Sequence, residues 1–85
     1  MAKSVSLMEV KYKVKFLNMF MDEKWGFELT EARASANDYA IFKNYGLEGS
    51  DCVYVGDLKG CNNYLNRYVR KYNLKRGWED YRNNI

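Results

Sequence analysis

The chain has 85 residues, 47% of them hydrophobic and 16% aromatic, with 14 Lys+Arg against 11 Asp+Glu and no histidine. That is one small domain with a modest core, too little chain for a two-domain enzyme with a deep cleft. A formal charge of +3 falls short of a dedicated nucleic-acid coat, and the lack of histidine removes Ser-His-Asp and Cys-His nucleophile systems, histidine metal ligands and histidine general bases.

No run of 18 apolar residues is present, so no membrane span is expected. The first nine residues lack the apolar core and cleavage site of a secretory signal. Two cysteines, Cys52 and Cys61, are too few to staple a secreted fold. These features point to a cytoplasmic protein with reduced thiols. Lys, Asn and Tyr contribute 9, 9 and 8 residues. Their codons are AT-rich, which suits an AT-rich bacterium, plasmid or virus.

The first element in chain order is Glu9 to Phe16, where apolar and charged residues alternate. A period of two reads as a strand, near 5–21, with Val10, Tyr12, Val14 and Phe16 inward and Lys11, Lys13 and Lys15 in water. Asp22-Glu23-Lys24 reads as a polar hairpin turn. Trp25, Phe27 and Leu29 alternate with polar or small residues, a second strand near 25–33.

Glu31 to Tyr45 admits two readings. Thr30 could cap a helix ending at Gly46. Alternatively Ser35-Ala36-Asn37-Asp38 is a turn and 39–44 a third strand, the reading favoured here. Gly46 to Asp51 is a loop, and 52–56 is a fourth strand rich in β-branched and aromatic residues.

Asp57 is placed to cap a helix near 58–73. Leu58, Cys61, Leu65, Tyr68 and Tyr72 fall on one helical stripe, and Lys59, Asn63, Arg67 and Arg70 lie opposite with Lys71 at the edge. Lys75 and Arg76 suit the negative end of that helix. Residues 78–83 add a short turn or helix whose Trp78 and Tyr81 fold back onto the body.

The expected fold is therefore α+β, a two-layer domain with a twisted antiparallel sheet of three or four strands covered by a C-terminal amphipathic helix. Such a sheet keeps an open edge.

Charge is unevenly spread. Residues 16–58 carry three basic against eight acidic residues, and residues 59–85 carry seven against two. The acidic middle suits docking of a basic partner surface. The basic helical face, Lys59, Asn63, Arg67, Arg70, Lys71, Lys75 and Arg76, offers cations to phosphates and amides to bases, although most charged helical faces only meet water. A core this small cannot absorb eight tyrosines, four phenylalanines and two tryptophans. Tyr39, Tyr45, Tyr64, Trp78 and Tyr81 are the candidates for partner contact. Met19-Phe20-Met21 or a sheet edge could join two copies.

No paired-carboxylate, phosphate-loop or metal-ligand spacing is evident, and no cofactor is expected. The sequence thus reads as a non-catalytic interaction protein, an inhibitor or adaptor that occludes a protein partner, of the kind phages and mobile elements direct at host machinery. The alternative is a nucleic-acid-binding module built on the basic helix.

Overall fold

The computed structural model describes residues 5–20, 26–32 and 38–84. Three helices and one three-stranded sheet make up an α+β fold: α1 (Leu7–Phe20), β1 (Gly26–Glu31), β2 (Tyr39–Asn44), β3 (Ser50–Gly56), α2 (Leu58–Lys71) and α3 (Lys75–Asn83). The strands run antiparallel in the order β1-β2-β3.

The N-terminal segment corrects the sequence reading. Residues 7–20 form a helix, not a strand. Ser6 caps its start: the Glu9 amide donates to Ser6 Oγ at 3.1 Å, with glutamate in the third helical position. Val5, just before the cap, joins the core that holds Val10. Val10, Val14 and Leu17 lie at helical spacing on the buried face, with Lys13 and Phe16 beside them. Lys11 and Lys15 reach water, but Lys13 does not. A charged residue on the buried stripe interrupts the helical pattern and creates the two-residue alternation instead.

The strand expected at 39–44 is present, and β3 starts two residues earlier than expected. The expected turns at 22–24 and 35–37, and Trp25, lie outside the described residues. Leu29, Ile41 and Tyr54 stand in register, as do Glu28, Phe42 and Cys52 on the opposite face. A bulge lies between these rungs, with Val53 as the extra residue. It lets both Val53 and Tyr54 pack against the core.

Asp57 caps α2 as expected, accepting from the Gly60 amide at 2.8 Å. The helix ends at Lys71, earlier than expected, in a Schellman motif. Asn73 takes the left-handed position at φ 57°, its amide donates to Arg70 O, and the Leu74 amide donates to Val69 O at 2.7 Å. Lys75 and Arg76 therefore open α3 rather than close α2.

One core lies between the sheet and the helices. Phe16, Leu17, Ile41, Leu65, Val10 and Cys61 are its fully buried members. The outer edge of β1 is met by a side chain: Asn18 Nδ2 donates to Phe27 O at 2.9 Å, and Asn18 Oδ1 accepts from Phe27 N at 2.8 Å.

Candidate interaction surfaces

The helices cover one face of the sheet only. Glu28, Thr30, Ala40, Phe42, Cys52 and Val55 alternate onto the other face, which no described element covers. They line a shallow concavity of about 660 Å³, together with Glu31, Ala32 and Ser50. Val55 is 55% exposed, Phe42 is half-buried, and Ala40 sits buried between Thr30 and Val55 in register. Among the described residues, the lining includes two carboxylates and no basic residue. Its chemistry is that of an apolar strip with an acidic rim.

The residues proposed for a basic face are all exposed. Lys59, Asn63, Arg67, Arg70 and Lys71 lie along α2, and Lys75 and Arg76 on the first turn of α3.

The aromatic candidates are more buried than the sequence reading requires. Trp78 is a core residue at 6% exposure, and Tyr39, Tyr45, Tyr64 and Tyr81 are half-buried. They fall in separate places. Trp78 and Tyr81 stack at 6.0 Å and both meet the Phe16 ring. Tyr64 belongs to a ladder of rings, stacked on Tyr54 at 5.5 Å and next to Tyr68, which meets Phe27 at 4.8 Å and Tyr72 beyond. Burial pushes the Tyr64 phenol well above its usual value, and the hydrogen bond to Tyr68 Oη at 3.2 Å acts in the same sense. Tyr39 packs at the start of β2, and Tyr45 follows its end with Lys43 over its ring. Trp78 is thus no surface anchor, because α3 turns its indole against α1. Met19 and Phe20 are exposed at the end of α1, and Met21 lies outside the described residues.

The two cysteines differ sharply. Cys52 is exposed on the uncovered sheet face, and Cys61 is buried under it on α2. Burial pushes the Cys61 thiol up to about 11, with Asp57 and Asp38 adding to the effect. Among the described residues, no three His, Cys, Asp or Glu side chains gather as a metal site, and no helix is long and apolar enough to cross a membrane.

Comparison with family models, curated proteins and solved structures found no match.

A feature the sequence reading missed lies where the three helices meet. Lys13 is 3% exposed, and its Nζ donates to Asn62 Oδ1 and to Asn66 Oδ1, the latter at 2.8 Å. The ammonium lies 5.0 Å from the centre of the Trp78 ring. Burial lowers the Lys13 pKa, while Glu9 acts in the opposite sense. A groove of about 430 Å³ opens beside it. The available signals were Ser6 and Glu9 at capping-box spacing and Val10, Val14 and Leu17 at helical spacing with a lysine among them.

Proposed function

We propose that this chain is a non-catalytic interaction protein that occludes a protein partner, with the uncovered face of the sheet as its docking surface. The observation that carries the reading is the apolar strip of Phe42, Cys52 and Val55 beside Glu28 and Glu31 on a face that no described element covers. Exposed apolar area rimmed by polar residues is how a domain recognises another surface. The acidic rim calls for a partner segment with apolar side chains set among lysines or arginines. The same reading places the chain in the cytoplasm, in keeping with two free cysteines, and among the small proteins that phages and mobile elements use against host machinery.

The test is capture from a bacterial lysate with a photo-crosslinker at Ser50, which is exposed in the same concavity, repeated with Val55→Lys and with Arg67→Ala in that probe-bearing chain. A basic protein retained by the parent chain and by Arg67→Ala, but lost about tenfold or more with Val55→Lys, supports the reading. Capture indifferent to Val55→Lys overturns it. The alternative, a nucleic-acid module, is favoured by the exposure of Arg67, Arg70, Lys71, Lys75 and Arg76 along α2 and α3. It requires salt-steep DNA or RNA binding that Arg67→Ala weakens.

A further inference from the structure

The buried amine of Lys13 has two hydrogen-bond acceptors, and both are neutral amides. Glu9, one helical turn before it, is committed to Arg82 at 3.1 Å. No carboxylate of the described residues lies within ion-pair reach of Lys13 Nζ. A cation taken out of water and held by amide dipoles and the Trp78 ring face, without a counter-charge, is costly, and buried charges are as a rule paired. The missing counter-charge has a place to enter, since the groove of about 430 Å³ runs alongside Lys13. That volume is within the range of small-molecule sites.

The walls add to the argument. Arg70, Lys75 and Arg82 line the groove with Lys13, against Glu9 and Glu79. Four cations facing two carboxylates leave an excess of two positive charges. A phosphate monoester carries about −1.5 to −2 at neutral pH. One N–H of the ammonium remains for such an oxygen, because an ammonium has three donors and two are engaged.

We infer that the groove between α1, α2 and α3 binds the phosphate group of a small phosphomonoester, with Lys13 as its recessed charge and Arg70 and Lys75 at the mouth. A nucleic-acid backbone fits it less well. A phosphodiester carries a single charge and is hemmed by sugars on both sides, so it cannot bring a terminal phosphate down to a recessed amine.

Calorimetric titration of the full chain at neutral pH and low salt, with inorganic phosphate and glycerol phosphate as probes, tests this. The expected result is saturable binding tighter than about 1 mM, weakened tenfold or more by Lys13→Met. Should Lys13→Met fail to fold by circular dichroism, the Arg70→Gln/Lys75→Gln double variant decides, since both side chains are exposed, and the same tenfold loss is expected. Lys11→Gln, an exposed charge on α1 outside the groove, should leave binding unchanged. Four results overturn the inference: no saturation below about 10 mM, undiminished binding in the deciding variant, an equal loss with Lys11→Gln, or acetate binding as tightly as phosphate.

Discussion

Replacing Lys13 by methionine separates the charge of that side chain from its stem. The buried ammonium costs several kcal/mol of hydration. Against this stand two hydrogen bonds from a charged donor, about 1.5–3 kcal/mol each, and the Trp78 ring at 5.0 Å, about 1–2 kcal/mol in a desolvated setting. These terms nearly cancel. Methionine keeps an unbranched stem of similar length, and the half-buried Asn62 and Asn66 can take water through the groove in place of the lysine. Lys13→Met is therefore expected to change stability by less than about 1.5 kcal/mol. Lys13→Ala removes three methylenes worth about 2.4 kcal/mol and leaves a void besides, so it should cost about 2–4 kcal/mol. Urea unfolding followed by circular dichroism in a phosphate-free buffer measures both. At about 4–8 °C of Tm per kcal/mol, the gap between the two variants is also visible on heating. If methionine costs as much as alanine, the charge itself holds the helices together and the reasoning fails.

Gly60→Ala should destabilise the chain, although alanine is the better helix former by about 1 kcal/mol. A Cβ at Gly60 would overlap the Tyr54 hydroxyl, and Gly56 crowds the same ring from the other side, so the ring would have to leave its stack on Tyr64. A net loss of about 1 kcal/mol or more in urea unfolding is expected, and a stabilised variant would show that the tyrosine moves freely. Ellman's reagent should label one thiol, Cys52, in the native protein and reach Cys61 only on unfolding, whereas two equal rates would contradict its burial. The raised Cys61 pKa gives a sign as well: its contribution to stability is fully present below pH 9 and is lost as pH rises toward about 11. At Asn73, with φ 57°, glycine should be neutral or gain up to about 1 kcal/mol while alanine loses about 1 kcal/mol, and equal unfolding midpoints would argue against the left-handed cap.

Elements whose local signals agree with their burial were legible in the sequence. The stripe of Cys61 and Leu65 behind Asp57 gave α2, and Tyr39 to Phe42 gave β2, because apolar side chains there face one core. The helix α1 was not legible by periodicity, since Lys13 occupies a position that an apolar residue would fill in a helix made only for stability. The residue that disguised the helix is the one at the centre of the groove. Such conflicts between local pattern and fold gather at functional sites. The end of α2 was misplaced because Asn73, rather than a glycine, takes the left-handed turn, and asparagine tolerates that turn through its short polar side chain. The aromatic candidates were over-assigned to the surface because the rings stack on one another, Trp78 on Tyr81 and Tyr54 on Tyr64, and so hide area that a residue count leaves exposed.

The amide of Asn18 does for Phe27 what a neighbouring strand would do, taking up both its main-chain N–H and its C=O. At that rung β1 has no main-chain pair left for a further strand, while β3 forms the other edge of the sheet. A strand adding to β1 would first have to displace the Asn18 amide, so a single side chain guards that rung against edge-to-edge association.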